Sequence, residues 1–330
     1  MCDFAEHISL ATLRICKALR LGGRDMRAKS YIRCSAWRIV LIAATLVVSG
    51  CDSVNDAING GGPDTYYYVS LGTSLSVGVQ PNGSGIPLPT DDGYADQLFD
   101  RIRSAFEAAG SDRELNLIRL GCPGETLDDF VNGISCPYLA GSQLAAAIEF
   151  LNDNSGKVHL VTIDMGGNDF RNADCMDAID PLDCANTVSA QIAADLAPVL
   201  AALRDAAGPD TTIVGMNYYN PYLSSWLEDA AGQAQATVSA QAVSTLTDFL
   251  ATTYATAGIP LADVAAAFQS DNFTTMVASS QPPPNDILPL SVNNICEFTY
   301  QCDPDPVGPD IHANTAGYSL IADTFVAILP

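Results

Sequence analysis

Short apolar runs along this chain are separated by stretches with helical spacing, and the two kinds of segment alternate. Tyr-Tyr-Tyr-Val-Ser-Leu at 66–71, Leu115–Leu120, Val158–Ile163 and Thr212–Met216 read as strands. The run at 158–163 is rich in Val, Leu and Ile, the pattern of a strand buried on both faces. Amphipathic or Ala-rich stretches predict helices at 93–109, 126–132, 142–153, 187–206 and 223–256, and a last helix starting near Ala313. Residues 79–92 are irregular, and the Pro-rich stretch 281–289 and the Cys/Asp/Pro stretch 296–309 read as ordered loops. Such alternation implies parallel strands joined by helical crossovers. The predicted fold class is therefore α/β, a three-layer α/β/α sandwich with a mainly parallel central sheet.

The first 50 residues follow another pattern. Arg27, Lys29, Arg33 and Arg38 precede the apolar run Ile39–Val48, then Ser49-Gly50-Cys51. That run is short for a membrane-spanning helix but fits the core of a signal peptide. Its small-residue end resembles a bacterial lipobox, which implies cleavage before Cys51 and lipidation of its sulfur. Met26 gives a leader of ordinary length, so the true start is placed there as an alternative. Residues 51–65, polar and Gly-rich after the cysteine, read as a flexible tether. The domain organisation expected is a leader (1–50), an anchor and tether (51–65) and one domain (66–330). The protein is then exported and held at a bacterial membrane.

Charge sharpens this picture. Residues 1–50 hold eight of the 15 Lys and Arg, while the other 280 residues carry seven bases against 35 acids. A surface so acidic excludes nucleic acid as a partner, because phosphate neutralisation needs Lys and Arg. Six cysteines lie beyond the anchor: Cys122, Cys136, Cys175, Cys184, Cys296 and Cys302. An even number in an exported chain points to disulfides, and pairing in sequence order closes three short loops. No Cys-x-x-Cys pair or nearby histidine supports zinc. The acidic run Cys302-Asp303-Pro304-Asp305-Pro306 lacks the ligand spacing of a calcium loop. No metal or cofactor is expected.

The chemistry sits in four islands. Strand 66–71 runs into Gly72-Thr73-Ser74-Leu75, strand 115–120 into Gly121-Cys122-Pro123-Gly124-Glu125-Thr126, and strand 158–163 leads to Gly166-Gly167-Asn168-Asp169. In an open parallel sheet these exits share one rim, where ligands collect. A serine hydroxyl needs a base to become a nucleophile, and histidine has the right pKa. His7 lies in the leader and His159 sits inside a strand away from the rim. His312, in Asp310-Ile311-His312-Ala313-Asn314-Thr315-Ala316-Gly317-Tyr318, remains.

These islands, in this order, resemble the SGNH/GDSL hydrolase family over about residues 66–328. The resemblance implies its flavodoxin-like sandwich and an acyl-ester hydrolase working through a Ser74 acyl-enzyme with His312 as general base. It also implies an oxyanion hole from the Ser74 N–H, the Gly124 N–H and the Asn168 side chain, with Asp169 bracing its loop. Two positions depart from the family pattern. Thr73 stands where an aspartate usually precedes the serine, and Pro309 where an acid usually precedes the histidine by three. Asp310, Asp305 or Asp303 can reach the imidazole after a loop shift, or a main-chain carbonyl can orient it; the register favours the carbonyl. Rival readings are an acyltransferase on the same site and a non-catalytic, ligand-binding surface lipoprotein. The partners expected are a small-molecule, lipid or polysaccharide ester and a membrane, with the protein a monomer.

Overall fold

The computed structural model describes residues 65–329, so the leader, Cys51 and the tether lie outside the described residues. Five strands, β1 (Thr65–Gly72), β2 (Glu114–Arg119), β3 (Val158–Asp164), β4 (Thr212–Met216) and β5 (Leu261–Ala262), form one sheet in the order β2-β1-β3-β4-β5. Every pairing is parallel. Successive side chains point to opposite faces of a strand, and both faces are covered. Val69, Val161 and Ile213 join one apolar core. Their neighbours Tyr68, Leu160 and Val214 join the other. On the first side pack helices α3 (Gln143–Asp153), α5 (Pro181–Ala207) and α6 (Ala230–Thr256), through Leu151, Leu200 and Leu246. On the second pack α1 (Tyr94–Ala108), α8 (Leu290–Phe298) and α9 (Thr315–Val326), through Leu98, Ile295 and Phe325. The three-layer sandwich is the expected one.

Shorter helices complete the chain: α2 (Leu127–Asn132), α4 (Gly167–Asn172) and α7 (Val264–Ala267). Helices α4, α7 and α8 (Leu290–Phe298) were not expected, the last running into the stretch read as a loop, and three further elements differ from expectation. The helix predicted at 223–256 is two pieces, a 3-10 segment Pro221–Leu227 and then α6. Asp229 makes the break by accepting from the N–H groups of Ala231 and Gly232, which starts a new helix. Helix α5 begins at Pro181, earlier than its Ala-rich pattern, because Asp180 caps it and proline suits a first turn. The two-residue strand β5 was too short for periodicity to reveal. Among the described residues, no helix is long and apolar enough to cross a membrane.

All three cysteine pairs form in sequence order: Cys122–Cys136, Cys175–Cys184 and Cys296–Cys302. None of the six is left as a metal ligand.

Strand order fixes where a ligand goes. The chain steps from β1 to β2 on one side and then crosses to β3 on the other. The carboxyl ends of β1 and β3 therefore border the topological switch point, where a crevice opens. Ser74 follows β1 and Asn168 follows β3.

Candidate active site

The turn after β1 is built around a buried carboxylate. Gly72 has φ +135°, and a Cβ there would lie 2.4 Å from the Asp164 carboxyl carbon, so only glycine fits. Asp164 ends β3 and is fully buried. Its Oδ1 accepts from the Thr73 N–H and the Thr73 hydroxyl, both at 2.8 Å, and its Oδ2 from the Tyr94 hydroxyl at 2.9 Å. Thr73, the departure noted in the sequence, thus takes its carboxylate from the neighbouring strand. Gln143 holds the other side of the turn. Its Oε1 accepts from the Gly72 N–H at 2.7 Å, and its Nε2 donates to the Gly72 carbonyl at 3.0 Å. Ser74, half-buried, is left with its hydroxyl and N–H unused by any hydrogen bond among the described residues.

Asn168 lies in the first turn of α4 and is nearly buried, with 9% exposure. Its Nδ2 donates to the Glu125 carbonyl at 3.0 Å. One amide N–H is spent on that bond and the second stays free to donate. The Gln143 Nε2 also donates to the buried Glu125 carboxylate, so one amide ties the β1 turn to the turn that carries Asn168's anchor. Asp169 accepts from the Leu127 N–H through both carboxylate oxygens at 3.1 Å, bracing α4 against the start of α2. Gly124 sits in the turn after β2 with φ +81°, exposed, and its N–H has no acceptor among the described residues.

His312 is held by its backbone. Its carbonyl accepts from the Tyr300 N–H at 3.1 Å, and Ala313 bridges Thr299 in antiparallel fashion. The Tyr219 hydroxyl donates to the preceding carbonyl, Ile311, at 2.7 Å. The Cys296–Cys302 bond brackets Thr299 and Tyr300, so the disulfide braces the segment on which His312 rests. The His312 ring is oriented by Asp310, not by a main-chain carbonyl, which corrects the expectation drawn from the register. Asp310 Oδ1 lies 2.7 Å from Nδ1 and also accepts the His312 N–H at 2.9 Å. Burial alone would raise the Asp310 carboxyl, but these bonds outweigh it and hold it below the usual carboxylate range. His159 is elsewhere: it is exposed near the start of β3, its ring 4.0 Å from that of Tyr66.

Ser74, Asn168 and His312 line one pocket. Its other walls include Leu75, Phe170, Tyr218, Tyr222, Val243 and Leu246, and its volume is about 80 Å³. Gly124 is not among the residues that line it. Sequence reasoning missed Asp164, Gln143 and Glu125. A carboxylate ending a strand buried on both faces was a usable signal, since such a group must be satisfied by something specific.

Burial pushes the Asp164 carboxyl up from 3.8 to about 7, although the Thr73 and Tyr94 bonds oppose it. A raised native pKa stabilises the fold while the proton is held. That contribution is complete below pH 4 and is lost as pH rises through 7. Asp164→Asn should therefore flatten the fall in unfolding temperature between pH 4 and 8, measured by calorimetry. An unchanged slope would assign the trend to Glu125, which burial also raises to about 7.

A serine at the exit of the first strand, sharing a pocket with an acid-paired histidine, has the layout of a serine hydrolase. The chain belongs to the GDSL-like lipase/acylhydrolase family, whose model matches residues 68–325. No curated protein matches it. Its fold is similar to that of an extracellular lipase from Streptomyces rimosus, at 17% identity and TM-score 0.49, over 80% of this chain and 100% of that one. It is also similar to a lipase from a goat rumen metagenome, at 14% identity and TM-score 0.48, over 79% and 96% of the two chains. A mutant acetyl-xylooligosaccharide esterase from Geobacillus aligns at 12% identity and TM-score 0.45, over 81% and 94%.

Proposed function

We propose that this GDSL-family hydrolase cleaves a carboxylic ester through a covalent acyl-enzyme on Ser74. The observation that carries the reading is the Asp310–His312 pair, with its 2.7 Å bond to Nδ1, lining the same pocket as Ser74. With Nδ1–H donated to Asp310, Nε2 is the basic nitrogen and takes the Ser74 proton as the hydroxyl attacks the ester carbon. The tetrahedral intermediate then carries a negative oxygen, which the Ser74 N–H and the free Asn168 N–H are available to stabilise. Gly124 would add a third donor, provided its turn swings toward the pocket as substrate binds. The imidazolium returns its proton to the leaving alcohol, the ester C–O bond breaks, and water activated by the same histidine hydrolyses the acyl-serine.

A pocket of about 80 Å³ is small beside the roughly 300–1,000 Å³ of sites for drug-sized ligands. It favours a short acyl group. The three disulfides fit an oxidising, extracytoplasmic compartment, and lipidated Cys51 would hold the domain at a membrane surface.

A chain-length series of p-nitrophenyl esters tests the reading, with kcat/KM expected to peak at acetate to butyrate. Asn168→Ala should lower kcat on the best ester by about 100- to 1000-fold and hardly change KM, because the donor acts mainly on the oxyanion. A peak at long chains would contradict the short-acyl assignment. Near-normal kcat in Asn168→Ala would remove that residue from the oxyanion hole.

A further inference from the structure

The pocket that holds Ser74 and His312 contains one Lys or Arg, Arg171, in a domain with 32 acids and seven bases. The other five described arginines all have structural work. Arg101 pairs with Asp323, Arg103 with Asp100, and Arg119 with Asp91 and Asp96. Arg113 stacks over the Tyr66 ring, and Arg204 donates to the Gly208 and Thr211 carbonyls. Among the described residues, the Arg171 guanidinium alone has no ion pair, hydrogen bond or ring contact. It follows Asn168 by three positions on α4, and both line the pocket. Residues so spaced share a helix face, about 4.5 Å apart along the axis. The guanidinium is thus mounted one turn beyond the amide that faces the reacting carbonyl. The charged groups that reach this corner, around the Tyr222 phenol, are Arg171 and Asp174.

We infer that Arg171 is a substrate-selecting residue, and that the preferred ester carries an anionic group, a carboxylate or phosphate, a few atoms from the scissile bond. The inference rests on the ester-hydrolase reading above. Much of the surrounding wall is apolar (Leu75, Phe170, Val243, Leu246), and Arg171 is the one Lys or Arg that lines it. The guanidinium presents a planar fork of donors that matches carboxylate and phosphate oxygens. Elsewhere the acidic surface repels anions, so this one cation decides whether a charged ester is accepted.

Two matched pairs of esters separate the two places the anion can sit. Mono-p-nitrophenyl succinate against p-nitrophenyl butyrate puts it on the acyl side. 4-Acetoxybenzoate against 4-acetoxybenzamide puts it on the alcohol side. The readout is the ratio of kcat/KM, anionic over neutral, in wild type and in Arg171→Gln and Arg171→Glu. A charge-assisted bond is worth about ten- to a hundredfold, so the ratio should fall by that much in Arg171→Gln for one pair, and further in Arg171→Glu. The pair that responds identifies the side. Hydrolysis of the neutral esters with ratios that change less than twofold in both variants overturns the role of Arg171 and leaves the esterase reading standing. If the wild type hydrolyses none of the four esters, the esterase reading fails, and this inference with it.

Discussion

Ser74→Ala should lower kcat by about a millionfold, His312→Ala should do the same, and the double variant should be no worse than either alone. In the proposed mechanism the two side chains perform one event, since the serine attacks only as the imidazole removes its proton. Losing either member removes the whole of that event, so the effects do not add. Folding should survive both changes. Ser74 is half-buried, its hydroxyl holds nothing in place, and the turn is fixed by Asp164 and Gln143 acting on Thr73 and Gly72. His312 is tied down by its backbone and by Asp310. Single-turnover kinetics on a p-nitrophenyl ester measure the loss, and circular dichroism checks the fold. Losses that multiply in the double variant would mean that the two residues act separately.

Asp310→Ala should lower kcat by about three to four orders of magnitude. In the proposed mechanism its Oδ1, 2.7 Å from Nδ1, does two things: it fixes the proton on Nδ1 and places a negative charge beside the ring when the imidazolium forms. Alanine removes both, whereas asparagine keeps an oxygen acceptor and removes only the charge. Asp310→Asn should therefore lose less than Asp310→Ala. The same oxygen also accepts the His312 N–H, so part of the alanine loss is a loosened loop. A normal kcat in Asp310→Ala would show that the imidazole is oriented well enough by its backbone alone.

The sandwich was legible because its central strands Val158–Asp164 and Thr212–Met216 are buried on both faces and their apolar runs are hard to mistake. Val158–Ile163 and Thr212–Met216 begin at their predicted residues, and the latter also ends there. The turn that carries Ser74 was legible because strand exits converge on one rim, and His312 because His7 and His159 could be set aside. Asp310 was misjudged by counting three residues back from the histidine, a spacing that Pro309 occupies. A carboxylate two residues back can bond the N–H two positions on, a common local turn. The same oxygen then meets the ring of that residue. The Gln143 and Asp164 contacts join segments 71 and 91 positions apart, and no local pattern reports such pairs. Helix α6 began late because a capping aspartate outweighed the apolar content before it.

The central claim is a covalent intermediate on Ser74. Purified domain treated with a fluorophosphonate should gain one adduct mass, and peptide mapping should place it on the peptide carrying Ser74. Ser74→Ala should gain none. Labelling that persists in Ser74→Ala, or an adduct on a neighbour such as Ser76, would contradict the assignment.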